Sequence, residues 1–205
     1  AYSIEQNLNQ FLYYLFLFFL GSVLMRSAGC IVNDIVDKDL DKKVQRTKNR
    51  PLACGLISVK LASIYTVILC AIAFFILIQF NTLTVLLGIV SMLLAFSYPF
   101  MKRITYWPQL FLGLTFNWGI VMAWTAMTNN ISFEIITLYS AAILWTLGYD
   151  TIYGIQDIAD DEIIGIKSTS IKFKKYIKLF VSLCYFLSSC LIIYLFYSEI
   201  SLNEF

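Results

Sequence analysis

Of the 205 residues, 60% are hydrophobic and only 14% are charged, with a formal net charge of +2. A soluble domain carries about 25% charged residues, and a globule with a mean hydropathy of +0.76 would lack the polar surface to cover itself. A soluble enzyme, a disordered tail and a free nucleic-acid-binding domain are excluded, and an integral membrane protein remains.

Stretches without charge predict the elements in chain order. Gln6 to Met25 places a first helix at about 9–32. Leu61 to Phe80 and Leu83 to Met101 predict helices at about 61–80 and 83–101, joined by a tight turn at Asn81-Thr82. Ile104 to Phe133 holds one span, about 108–128, with room for a turn, and Thr128-Asn129-Asn130 is the next connector. Ile135 to Tyr149 predicts a fifth helix at about 133–156, continuing helically towards Asp157, and Leu179 to Ser198 a sixth at about 176–198. None of these runs shows the two-residue alternation of a membrane-barrel strand. The expected fold is all-α, a polytopic transmembrane bundle of six helices forming one membrane domain over residues 1–205.

Sidedness follows from the basic residues. Fourteen of the 15 lie in the loops after the first, third and fifth helices or at the start of the sixth, and Arg26 is the exception. These loops share one side of the membrane, cytoplasmic by the positive-inside bias. Every Asp lies at or just within the same face, so two clusters far apart in sequence are expected on one side, able to face each other. The five cysteines contain no C-x-x-C pair and give no disulfide or metal signal.

The acids carry the chemistry. There is no histidine, which removes Ser-His-Asp catalysis, His-ligated zinc, His-ligated haem and the Glu-x-x-His di-iron sites of bundles. All eight Asp fall in two windows, Asn33-Asp34-Ile-Val-Asp37-Lys-Asp39-Leu-Asp41 and Asp150 to Asp161. Asn33, Asp37 and Asp41 are spaced i, i+4, i+8, and share one face if the first helix continues. Asp150, Asp157 and Asp161 lie near one face of a continued fifth helix, with Asp160 beside Asp157. An exposed helix end softened by Lys38 and Lys42 would tolerate such a cluster. Two dense clusters beside a low-dielectric medium instead call for a counter-charge. Mg²⁺ suits oxygen ligands and bridges one or two carboxylates to substrate phosphates. Arg46, Arg50, Lys102, Arg103 and Lys167 are the cations available to hold phosphate oxygens, although basic loops also serve simply as topology determinants. Two metal sites and several cations, with no nucleophile, fit metal-assisted loss of diphosphate. Arg26, seven residues before Asn33, is either an intramembrane ion-pair partner or part of the site. Most of the aromatic residues suit lipid contact and packing, and a minority suit the walls of a polyisoprenoid pocket.

Four linked strings resemble the UbiA family of intramembrane prenyltransferases. Arg26 to Asp41 resembles its first aspartate motif, Arg46-Thr-Lys-Asn-Arg50-Pro51-Leu the loop that follows, and Tyr98-Pro-Phe-Met-Lys102-Arg103 its Tyr-x-x-x-Lys segment. Tyr149 to Asp161, followed by Gly165-Ile-Lys167-Ser168-Thr169, resembles its second aspartate motif. The Pro-Phe-Met-Lys-Arg and Gly-Ile-Lys-Ser-Thr strings are most similar to the members that prenylate 4-hydroxybenzoate in ubiquinone biosynthesis. The resemblance implies part of a bundle of about nine helices around a cavity, the counterparts of the first and the last two being missing here, in a bacterial-type inner membrane.

The resemblance also implies the roles. Asn33, Asp37 and Asp41, assisted by Asp34, hold one Mg²⁺, and Asp157, Asp160 and Asp161 the second. Arg46, Arg50 and Lys102 grip the diphosphate of a polyprenyl diphosphate, Tyr98 donates to it, and Lys167 is a further contact. Arg103 pairs with the carboxylate of 4-hydroxybenzoate. Asp37, Asp41, Asp157, Asp161 and Arg103 are thus the expected catalytic set, with Asp157 placed to orient or deprotonate the phenol. Another aromatic acceptor within the family is the alternative substrate. A cation-coupled transporter is the alternative of another class; it predicts Asp near the bilayer midplane, with broken helices and inverted repeats, whereas here the Asp lie at one face and no inverted repeat is visible. The Asp-Gly…Ala-Arg string of a CDP-alcohol phosphatidyltransferase is absent.

Overall fold

The computed structural model describes residues 8–203, and every regular element among them is helical. The chain divides into two compact units, Ala1–Val85 and Leu86–Phe205. Among the described residues, six helical stretches are long and apolar enough to cross a membrane, the number expected.

The first unit is an antiparallel pair, α1 (Leu8–Asp41) and α2 (Val59–Leu77). Ile76 of α2 lies beside Gly21 of α1, and Tyr14 and Phe18 pack on Phe80, with ring centroids 5.2 and 4.8 Å away. The first helix was expected to end near residue 32 and instead runs to Asp41. Residues 33–41 contain neither Pro nor Gly, and nothing in them breaks the helix. At 34 residues α1 is about 51 Å long, well beyond a hydrocarbon core of about 30 Å. Its acidic end therefore has helix to spare for reaching the membrane edge. A compact loop returns the chain to α2, whose first turn is capped by Ser58 Oγ accepting from the Leu61 N–H at 3.2 Å.

The second unit is built on α6 (Phe133–Tyr153), flanked by α9 (Ile177–Asn203) and by α4 (Pro108–Phe116) and α5 (Trp118–Thr128). Small residues admit the neighbours: Tyr185 of α9 lies against Gly148, and Ile143 against Gly113. Ser188 Oγ donates to the Ala141 carbonyl at 2.8 Å, and Tyr139 OH to the Leu114 carbonyl at 2.7 Å. Helix α3 (Thr82–Ile104) leads into this unit, and Trp118 Nε1 donates to the Leu87 carbonyl at 3.0 Å.

The fourth span is a broken helix, and the break has a specific cause. At Asn117 the side-chain amide donates to the carbonyls of Gly113 and Ala142 and to Thr146 Oγ1, at 2.9, 3.2 and 2.8 Å. These bonds pin the junction at Asn117 to α6. The fifth span was expected to be continuous to residue 156. Helical structure does continue past that point, as one stretch over Phe133–Ile164, but α6 itself ends at Tyr153, tightens into a 3-10 turn at Gly154–Asp157 and resumes as α7 (Ile158–Ile164). Gly165, at φ 81°, closes α7 in the left-handed conformation that favours glycine. The short α8 (Thr169–Lys172) precedes α9.

Candidate functional site

The continuation of α1 decides the geometry of the first motif. At about 100° per residue, Asn33, Asp34, Asp37 and Asp41 fall within about 100° of one another on the helix face. Asp37 and Asp41 are buried, with 1% and 7% of their surface exposed, and Asn33 and Asp34 are half-buried. Asp39 projects on the opposite side, exposed, and pairs with Lys42 at 3.0 Å. Thr47 Oγ1 donates to the Asp41 carbonyl at 3.1 Å and folds the following loop back over the helix end. That fold carries Arg50 onto the motif: its Nη1 lies 3.0 Å from Asp34 Oδ1 and 3.0 Å from Asp41 Oδ2. An apolar cavity of about 170 Å³ opens beside Asp34, walled by Ile31, Leu52, Ile57, Ala62 and Tyr65. Arg46 lies on the exposed side of the loop, and Arg26 is exposed on α1.

The second motif is assembled differently. A 3-10 turn advances about 120° per residue instead of about 100°, so Asp150, Asp157 and Asp161 do not keep the phase of one straight helix. The turn at Gly154–Asp157 shifts Asp157 and Asp161 by several tens of degrees relative to Asp150. Asp157 ends the 3-10 turn and precedes α7, and Asp160 and Asp161 occupy its first turn. Asp157 and Asp161 are half-buried, and Asp160 is exposed.

The end of α3 carries the basic residues of the Tyr-x-x-x-Lys string. Tyr98 and Lys102 are half-buried one turn apart, and Arg103 is exposed in the last turn. Lys167 joins them. Its amide donates to the Lys102 carbonyl at 2.8 Å and its Nζ to the Ile104 carbonyl at 3.2 Å. The ammonium thus caps the negative end of α3, beside the Tyr106 ring.

A buried polar cluster fixes the loop after the second motif. Gln109 Oε1 accepts from the Thr169 N–H at 2.9 Å, Thr151 Oγ1 and Thr169 Oγ1 share a hydrogen bond of 2.7 Å, and Ser170 Oγ donates to the Thr151 carbonyl at 2.7 Å. Gly154 completes the fit, because a Cβ there would stand 2.5 Å from Ser170 Oγ. Sequence reasoning did not single out Gln109, Thr151, Ser170, Asn117 or Thr47. The available signal was the amide side chains of Gln109 and Asn117 inside a charge-free run, since a polar group there needs a partner.

The donors present are oxygens of carboxylates, amides and hydroxyls, the set a hard cation prefers. Among the described residues no three Asp, Glu, Cys or His side chains enclose a metal by themselves. Mg²⁺ does not require such a cage, because it keeps several waters and takes one or two carboxylates together with substrate phosphates. Asp34 and Asp41 already converge on one cationic nitrogen. In that respect the first motif fits a small cation.

Comparison with known proteins adds independent findings. The UbiA prenyltransferase family profile matches residues 1–203. The chain is similar to the mitochondrial 4-hydroxybenzoate polyprenyltransferase of Caenorhabditis elegans, at 51% identity over 162 residues, covering 78% of this chain and 46% of that protein. It is similar to the 4-hydroxybenzoate octaprenyltransferase of Vibrio atlanticus, at 48% identity over 167 residues, covering 82% and 59%. The chain thus spans about half the length of the curated relatives it matches. Among solved structures it is similar to the apo UbiA homolog of Aeropyrum pernix K1, with TM-score 0.75 and 30% identity, covering 86% of this chain and 67% of that one. The fold also matches a UbiA homolog of Archaeoglobus fulgidus bound to GPP and Mg²⁺, with TM-score 0.71 and 19% identity, covering 89% and 65%.

Proposed function

The chain belongs to the UbiA prenyltransferase family, and we propose that in the full-length protein it transfers a polyprenyl group from polyprenyl diphosphate to the ring of 4-hydroxybenzoate. The step belongs to ubiquinone biosynthesis, depends on Mg²⁺, and takes place in an integral membrane protein. The observation that supports it most is the identity of about half the aligned residues with proteins that carry this activity in their names. By the distribution of Lys and Arg, the acidic motifs face the cytoplasmic side of a bacterial-type inner membrane.

Asn33, Asp34, Asp37 and Asp41 would hold one Mg²⁺, and Asp157, Asp160 and Asp161 another. Bound there, the metal would offset charge developing on the departing diphosphate. Arg46, Arg50 and Lys102 bind the remaining diphosphate oxygens, and the Tyr98 hydroxyl donates to them. Lys167 is a further contact to the anion. The Arg103 guanidinium pairs with the acceptor carboxylate and orients the ring. Asp157 takes or orients the phenolic proton. The allylic C–O bond breaks with its electron pair leaving on diphosphate. The ring carbon ortho to the phenol forms the new C–C bond, and loss of its proton restores aromaticity. No covalent enzyme intermediate is required.

The test is a transfer assay in membranes containing the full-length protein, with radiolabelled 4-hydroxybenzoate, a polyprenyl diphosphate and Mg²⁺. Label should move into a lipid-extractable product, and EDTA should stop it. Release of diphosphate only with another aromatic acceptor would move the substrate within the family, and no turnover with any acceptor would overturn the reading.

A further inference from the structure

Three carboxylates share the inner face of α1 over two turns, with Asp37 and Asp41 buried and Asp34 beside an apolar cavity. Like charges so placed need a cation. The structure supplies it from within the chain. One guanidinium nitrogen, Arg50 Nη1, stands 3.0 Å from a carboxylate oxygen of Asp34 and 3.0 Å from one of Asp41. Those two oxygens are therefore within two hydrogen-bond lengths of each other, separated by a cation.

A Mg²⁺ ion bound between the same carboxylates would take the same lone pairs at about 2.1 Å. Nη1 cannot remain between them, both for lack of space and because the two cations repel. We propose that Arg50 competes with Mg²⁺ for Asp34 and Asp41 and passes to the diphosphate when the metal displaces it, so that metal and diphosphate bind cooperatively. This rests on the proposed function for the identity of the metal and the anion.

Two features suit Arg50 to the exchange. Its backbone is held in place: the Arg50 N–H donates to the Thr47 carbonyl and the Cys54 N–H to the Arg50 carbonyl, both at 2.9 Å. Thr47 is in turn tied to the end of α1. Release of the guanidinium therefore leaves it beside the motif rather than free in solvent. The ion pair is also accessible, with 34% of the Arg50 side chain exposed, so water can enter as the contacts open. A nitrogen that bridges two carboxylate oxygens can bridge two diphosphate oxygens in the same way.

Competition makes a prediction that a structural role does not. Removing the guanidinium should strengthen binding of the metal alone and weaken its coupling to the anion. The experiment uses the full-length protein in detergent, Mn²⁺ as an EPR-visible metal and inorganic diphosphate as the anion. R50Q should bind Mn²⁺ alone about tenfold more tightly than wild type, and should lose the gain in Mn²⁺ affinity that diphosphate brings. R50K retains a cation without the fork and should tighten Mn²⁺ by a smaller factor, so it carries the comparison if R50Q folds poorly. Mn²⁺ binding by both variants no tighter than wild type, or wild-type coupling to diphosphate, overturns the proposal. D41N isolates the underlying reading: unchanged Mn²⁺ binding in D41N removes the metal assignment itself, and the exchange falls with it.

Discussion

The two acidic motifs share a composition and differ in construction. The first rides on an unbroken helix, so its spacing alone brings Asn33, Asp34, Asp37 and Asp41 to one face. Its partner, Arg50, comes from the adjoining loop, 16 residues from Asp34. The second motif straddles a helix that tightens at Gly154–Asp157 and restarts. Its placement depends on what lies beneath it, the cluster joining Gln109, Thr151, Thr169 and Ser170 across up to 60 residues of sequence. A periodic motif needs only the helix; a broken one needs a tertiary support. Substitutions around the first should therefore act mainly on charge, and around the second mainly on shape.

The largest expected effect tests what the motifs share. D37A and D157A, made separately in the full-length protein, should each cut prenyl transfer about 10²–10³-fold without loss of membrane insertion. Near-full activity in either, measured by product formation, would remove that motif from the site. The difference between the motifs is tested next. G154A drives a methyl against Ser170, and Q109L leaves the buried Thr169 N–H without its acceptor. Each should cost about 1–3 kcal/mol, read as a lower melting temperature. A stable G154A protein would mean that the second motif does not depend on the cluster beneath it. The smallest effect belongs to D39A. Its carboxylate is exposed and paired only at the surface, so transfer should stay within about twofold of wild type. A large loss would place Asp39 among the working acids and undo the assignment by helix face.

Much of the fold was legible because membrane spans are written in consecutive residues. Six charge-free runs predicted six spans, and the described residues contain six. The end of α1 moved because nothing local stops the helix, whereas the other breaks lie where polar residues inside or beside a run have partners elsewhere. Asn117 divides α4 from α5 by bonding into α6, and the 3-10 turn after Tyr153 is fitted around Ser170. Neither partner is adjacent in sequence, so no local period announces them. The same holds for Lys167, read from its motif as a phosphate contact and placed by the fold on the carbonyl end of α3.

Composition and local spacing thus determined that the chain is helical and membrane-spanning, and that its acids lie in two sets, the first on a single helix face. Those properties depend on periodicities of a few residues and on the exclusion of charge from lipid. Tertiary structure decided which cation each acid meets, where helices break and what holds the second motif. These are pairings over 16 to 60 residues, set by how side chains meet in space.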